Sequence, residues 1–151
     1  MSGRPTERTD IARAWHRRAG DLAQSCAGSF ADEEDERLDD LRGLLADAPL
    51  PLRAGLPSHG FAGSGAPGPG MAIAAVLALV EACRGGYMLS WGTDGGHLAT
   101  VILPGAEGEA TMSADSAGLA LIGALAQALA ECGESRSLAS NRYLPDGAIL
   151  N

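Results

Sequence analysis

The feature that most constrains the fold is a run of three short segments, residues 87–91, 97–103 and 109–113, whose side chains alternate in character. Side chains along a strand have a period of two, so each segment predicts a short β-strand. Turns rich in glycine separate the segments at residues 92–96 and 104–108, and connections this short favour antiparallel neighbours. The sequence therefore predicts a three-stranded antiparallel meander.

Two apolar segments flank the predicted meander, Met71–Arg84 before it and Ala117–Cys132 after it. A surface helix normally has a polar face, whereas apolar residues occur all around both of these segments. Both are shorter than the roughly 20 apolar residues that span a bilayer, so we predict buried helices rather than membrane helices. Ser113 or Asp115 is the expected N-cap of the second helix, and Gly133 is its expected C-terminal stop.

The first third of the chain predicts a helical hairpin. The first helix is expected to begin at Thr6 or Thr9 and to end near Ala27, and the second is expected over Asp32–Asp47. Leucine, tryptophan and other apolar residues at helical spacing give each helix an apolar stripe. The first helix is rich in arginine, whereas the second holds eight acids and two arginines. An antiparallel hairpin would therefore set opposite charges against each other.

Residues 49–70 separate this hairpin from the apolar region. The segment contains five prolines and six glycines, and because such a composition buries little apolar surface on folding, we predict a linker. Its Gly63–Gly68 stretch matches a glycine-rich dinucleotide-binding pattern. No strand precedes that stretch, and Pro67 removes an amide donor, so we expect no nucleotide site.

The chain as a whole predicts an α+β fold with the element order α-α-α-β-β-β-α. Its 151 residues suffice for one ordinary domain with an appendage. The predicted divisions are a helical hairpin at 1–48, the linker at 49–70, a core domain at 71–133 and a C-terminal extension at 134–151.

The charge balance limits the partners that the chain is expected to bind. Its eleven basic residues, all arginine, stand against nineteen acids, which gives a formal net charge of −8. Such a charge opposes binding to a nucleic-acid backbone or to an anionic membrane. We therefore expect another protein or a second copy of the chain as partner, and neither nucleic acid nor membrane.

The order of one helix, three strands and one helix resembles that of double-stranded-RNA-binding domains. Those domains need lysines at the start of the last helix to meet phosphates, and Ser113–Ser116 stands there instead, so the charge argues against RNA. The chain also resembles small acidic secretion chaperones, which work as dimers, in its size, acidity and excess of apolar residues. Similarity of fold is weak evidence for function.

Few residues are candidates for catalysis or metal binding. Cys26, Cys83 and Cys132 are widely spaced and form no CxxC or CxxH pair, so we expect neither a disulfide framework nor a zinc site. Asp94 and His97 could place a carboxylate and an imidazole at one turn, although both residues also suit an ordinary hairpin turn. We predict no catalytic, cofactor-binding or metal-binding residues and no cofactor. The lack of an apolar N-terminal run predicts a cytoplasmic protein.

The two apolar helices lead to the functional prediction. Covering one face of a small sheet with both helices would leave several of their leucines facing outward, where burial by another surface is favourable. The N-terminal hairpin could cover them, either in the same chain or in a partner. We therefore predict a non-catalytic protein-interaction or assembly domain that self-associates. The expected interface residues are Leu79, Leu119, Leu121, Trp15, Leu41 and Leu45.

Two other functions stay open at this point. A small enzyme would have its site near Asp94 and His97, with Cys83 or Cys132 as an additional group. An acidic inhibitor that imitates nucleic acid would use residues 32–47. Acids at a helix start are also favourable through the helix dipole, so the same run fits a solvated helix face balanced by its own arginines.

Overall fold

The structure, a computed structural model, describes residues 5–49, 71–104 and 108–131. The predicted linker beyond Pro49, the residues from Cys132 onward and the predicted C-terminal extension lie outside this part of the chain. The elements before the sheet are α1 (Pro5–Gly28), a 3₁₀ turn (Ala31–Glu33), α2 (Glu34–Ala46) and α3 (Met71–Ala82). The remaining elements are β1 (Gly86–Trp91), β2 (His97–Ile102), β3 (Ala110–Ala114) and a last helix α4, residues 117–131.

The three strands form one antiparallel sheet in the order β1-β2-β3. The register places Leu89 opposite Ala99 in β1 and β2, and Ala99 opposite Met112 in β3. Helices therefore precede and follow a meander, which confirms the predicted α+β fold and element order.

The helices cover one face of this sheet. Ala99 and Val101 of β2 and Ala110 and Ala114 of β3 share that face by register, and all four are buried. The opposite parity of side chains is exposed along β1 and at most positions of β2 and β3. The fold is thus a helical layer on a sheet whose second face is open in the described residues.

The N-terminal hairpin packs on the rest of the same chain. The Trp15 Nε1–H donates to Leu44 O at 2.7 Å, which joins α1 to α2. A hydrogen bond of 3.1 Å between His16 Nδ1 and Leu129 O joins α1 to α4. The buried residues of α1, α2, α3, the sheet and α4 form one continuous core.

Two cap interactions hold the hairpin against the start of α4. Ser116 is the N-cap of α4, since its Oγ accepts from the Leu119 N–H at 3.1 Å, and its hydroxyl donates to the Glu34 carboxylate of α2. Asp115 also binds the hairpin, since its carboxylate accepts from the Ala31 N–H at 2.8 Å. The predicted caps, Ser113 and Asp115, are therefore corrected. β3 continues through Ala114, so the first residue free to cap α4 is Ser116.

Candidate interaction surface

The six residues that the sequence assigned to an interface lie inside the folded chain. Each is less than a tenth exposed: Trp15, Leu41, Leu45, Leu79, Leu119 and Leu121. The hairpin covers the apolar helices in the same chain, which is one of the two arrangements that the sequence left open. A second copy could reach these side chains only if the hairpin first left its place.

Exposed large apolar side chains gather instead on two neighbouring strands. Of the seven such side chains in the described residues, five lie in β1 and β2. Met88 and Trp91 are the most exposed of the five, at 66% and 71%. The five are Tyr87, Met88, Trp91, Leu98 and Ile102. By register Met88, Leu98 and Ile102 lie on the outer face of the sheet, and Tyr87 and Trp91 lie on the helix side of β1. Exposed apolar surface commonly marks a site of interaction with another protein.

The outer face of the sheet carries no charged side chain among the described residues. Antiparallel sheets with one solvated face usually alternate apolar-in with polar-out, whereas this face presents Met88, Leu98 and Ile102 to solvent. Its polar members are hydroxyl residues, and Thr100 Oγ1 lies 3.0 Å from Thr111 Oγ1. By register the face consists of Gly86, Met88, Ser90, Leu98, Thr100, Ile102, Thr111 and Ser113.

β1 is also an edge strand, because it pairs with β2 alone in the described part of the chain. The Gly92 N–H donates to Gly96 O at 2.9 Å, which marks that pair as hydrogen-bonded. Backbone groups in an antiparallel ladder point alternately toward and away from the partner, so those of Tyr87, Leu89 and Trp91 point away from β2. β1 has neither a charged residue nor a proline, the residues that often protect an edge from pairing.

The turn that contains Asp94 and His97 is built as an ordinary hairpin turn. Asp94 Oδ1 accepts from the Gly96 N–H at 3.0 Å, and Gly95 has a positive φ of 86°. His97 begins β2 on the helix-side face, and within the described residues its buried Nδ1 has no hydrogen-bond partner. An acid–base pair must aim both groups at one reacting atom. Asp94 is instead exposed and engaged with its own backbone.

The described cysteines differ in their access to solvent. Burial raises the pKa of the Cys26 thiol to about 12, with Arg37 opposing and Asp40 adding to the shift. A neutral thiol is a poor nucleophile, so Cys26 acts as a small apolar core residue. Cys83 is half-buried just after α3, and Cys132 lies outside the described residues. Those residues include no group of three metal-binding side chains.

An open cleft of about 280 Å³ runs between α1 and α2. Three of its four charged side chains have partners within the chain, since Arg37 lies 2.8 Å from Asp40 and Arg18 lies 3.1 Å from Asp47. The Arg18–Asp47 pair joins α1 to the residue that follows α2. The cleft is lined by Arg18, Asp21, Leu22, Ser25, Arg37, Asp40 and Leu44.

Five of the eight acids between residues 32 and 47 have partners in the chain. Glu34 binds Ser116, and the other four form ion pairs with arginines; they are Glu36, Asp39, Asp40 and Asp47. Three of the ion pairs lie within α2, whereas Glu34 and Asp47 join α2 and the residue after it to Ser116 and to Arg18 of α1.

The sequence contains a signal for the exposed surface that the alternation of side chains in β1 does not by itself reveal. β1 has large apolar residues at both parities, with Met88 between Tyr87 and Leu89. A strand with one solvated face should be polar at alternate positions, so apolar residues on both faces indicate a strand with a second contact.

Among the described helices, none combines the length and the apolarity that a membrane crossing requires. Comparison of the chain with protein-family models, with curated proteins and with solved structures gave no match.

Proposed function

We propose that this chain is a non-catalytic protein-interaction or assembly domain that self-associates through the exposed surface of β1 and β2. The observation that supports this function is the concentration of large exposed apolar side chains on those two strands. Interfaces are depleted of charge at their centres and enriched in aromatic residues and methionine. Tyr87, Met88 and Trp91 fit that composition.

The distribution of charge favours a second copy as the partner. The chain has a formal net charge of −8, so two copies repel each other wherever acidic surfaces meet. β1 and the outer face of the sheet lack charged residues, and two copies can approach there without that repulsion. A two-fold contact uses the same patch on both copies, which requires only that the patch be compatible with itself.

The size of the patch sets the strength that we expect. β1 and β2 have six residues each, and at about 3.3 Å per residue and about 4.8 Å between strands the outer face of these two strands measures roughly 20 Å by 10 Å. Stable complexes of standard size bury about 800 Å² on each partner, and this patch is much smaller than that. We therefore expect an association that depends on concentration.

Sedimentation velocity over a range of concentrations tests this function on the full chain. Met88→Glu with Trp91→Glu adds two charges to the proposed surface, at positions exposed enough to leave the core untouched. Ile11→Glu with Phe30→Glu is the matched control, because those side chains are 65% and 68% exposed and belong to α1 and to the residues between α1 and the 3₁₀ turn rather than to the sheet. We expect the unmutated chain and the control to associate as concentration rises, and the strand variant to stay monomeric.

Two results would overturn the proposal. One is an unmutated, folded chain that remains monomeric at every concentration reached. The other is an equal loss of association in both double variants, which would show that added charge rather than its place on the sheet is responsible.

A further inference from the structure

We infer that two copies join edge to edge through β1, antiparallel and centred on Leu89, so that their sheets become one six-stranded sheet. This inference rests on the proposed self-association and specifies its geometry. It concerns the backbone of β1, which a contact through the outer face of the sheet would leave unpaired.

The backbone of β1 is complementary to itself in this register. Tyr87, Leu89 and Trp91 direct their N–H and C=O groups away from β2, as the ladder through Gly92 and Gly96 requires. A two-fold axis at Leu89 sets that residue opposite itself and sets Tyr87 opposite Trp91 of the second copy. Each of these three pairs exchanges two hydrogen bonds, so every outward group of the strand finds a partner.

Of the possible positions for the two-fold axis, the one at Leu89 pairs the largest number of β1 residues with β1 of the second copy. A two-fold axis at Tyr87 or at Trp91 would leave one end of β1 opposite turn residues, because the strand ends at Gly86 and at Trp91. Only the centre at Leu89 pairs all three outward residues with strand residues of the second copy.

The same register accounts for two exposed aromatic side chains. Tyr87 and Trp91 lie on the helix side of β1 by register but remain 47% and 71% exposed. In the dimer each Tyr87 faces a Trp91 across the axis, and cross-strand aromatic pairs are among the favourable pairs in sheets. Both rings thereby gain the apolar contact that one chain does not give them.

Within the described residues, the surroundings of β1 leave room for a second copy. α3 packs beside β1 and exposes Ala74, Ala78 and Ala82 at helical spacing. Small side chains let elements of two copies approach closely. The other edge of the sheet is flanked by α1, which contacts β3, so β1 is the edge at which a strand can be added.

Cysteine cross-linking of the full chain tests the register. In the proposed dimer the two Leu89 Cα atoms lie about 5.5 Å apart, within the roughly 4.4–6.8 Å that a disulfide spans. Ser90 is more exposed than Leu89, but it faces Met88 of the second copy rather than its own counterpart. We expect mild oxidation to give a covalent dimer with Leu89→Cys and none with Ser90→Cys. The unmutated chain reports any cross-linking by the native cysteines.

The outcomes separate this geometry from the proposed function. Association in sedimentation without a cross-link at Leu89→Cys, or with a faster one at Ser90→Cys, overturns the edge geometry and leaves self-association standing. A folded chain that never associates overturns both.

A charge pair tests the register without cysteine, should Leu89→Cys fail to fold. Tyr87→Lys with Trp91→Glu sets opposite charges across the axis, whereas Tyr87→Lys with Trp91→Lys sets like charges there. We expect the first variant to dimerise at low salt and the second to be monomeric. Equal behaviour of the two folded variants overturns the register.

Discussion

The two edge strands of the sheet, β3 and β1, differ in how closely the helices cover them. β3 presents Ala110, Met112 and Ala114 to the helices, its two alanines are only 3% and 7% exposed, and α1 packs along it. β1 has no buried residue, and its large side chains are exposed or half-buried. The alanines let helices approach one edge closely, whereas the large apolar residues at the other edge stay exposed or half-buried.

The edge at β3, which we call the protected edge, depends on close contacts among β3, α4 and α1. A Cβ atom placed on Gly123 of α4 would lie 2.7 Å from Met112 Cγ in β3 and 3.1 Å from Cys26 Cβ in α1. The Cys26 Cβ is fixed to its backbone, so α1 and α4 can be this close only because residue 123 is glycine. No comparable contact covers β1 in the described residues.

A buried charge at each edge should give the largest difference between them. Ala110→Glu places a carboxylate in the core opposite Val101, which is fully buried, and should lower the free energy of unfolding by about 4 kcal/mol or more. Trp91→Glu puts the same charge on the open edge and should change it by no more than about 0.5 kcal/mol. Urea denaturation followed by circular dichroism measures both. Similar losses in the two variants would mean that β1 is covered as β3 is.

A smaller effect is expected from the glycine at the protected edge. Gly123→Ala forces Met112 or the backbone of α1 to move and should cost about 1–3 kcal/mol, as overpacking of a core does. Gly20→Ala in α1 is the matched control, because nothing lies within 4 Å of its Cβ position and alanine in a helix is better than glycine by about 0.5–1 kcal/mol. The two substitutions should move the urea midpoint in opposite directions. A higher urea midpoint in both variants would mean that the contact at Gly123 is not too close to admit a Cβ atom.

The fold follows from periodicity that any reader of the sequence can see. Alternation over residues 87–113 and apolar helices on either side are local signals, and the structure contains the predicted meander between two such helices. The cover of those helices is not a local property. The sequence identified Leu79 and Leu121 as needing burial but left the hairpin free to pack in the same chain or on a partner. The structure packs the hairpin on the same chain, and this arrangement depends on tertiary packing rather than on local periodicity.

The caps show the same limit at the scale of single residues. Ser113, Asp115 and Ser116 are all good N-cap residues, and the choice among them depends on where β3 stops pairing with β2. Leu98 pairs with Ser113 and His97 with Ala114. Ser113 is therefore still part of β3 and cannot cap α4. Asp115 is then taken by the Ala31 N–H, a contact 84 residues away in sequence that no local pattern indicates.

The smallest predicted effect lies at the entry to the open edge. α3 ends at Ala82 rather than at Arg84, and Arg84 has a φ of 60°, a conformation that costs an L-residue roughly 1–2 kcal/mol. The Gly85 N–H donates to Val80 O and the Arg84 N–H to Glu81 O, both at 2.9 Å. These are the two bonds of a helix stop that normally has glycine at the position of Arg84.

The neighbouring glycine is needed for another purpose. A Cβ atom on Gly85 would lie 2.5 Å from Ile102 O, so glycine stands where β1 comes close to β2, and the strained position falls to Arg84. Arg84→Gly should therefore raise the free energy of unfolding by about 0.5–1 kcal/mol, the relief of strain less the added entropy of the unfolded chain. Arg84→Ala keeps a Cβ and should give no such gain. Because neither change touches the outward groups of β1, the concentration dependence of association should be the same in both. An equal gain in stability from the two variants would assign it to loss of the arginine side chain rather than to the backbone.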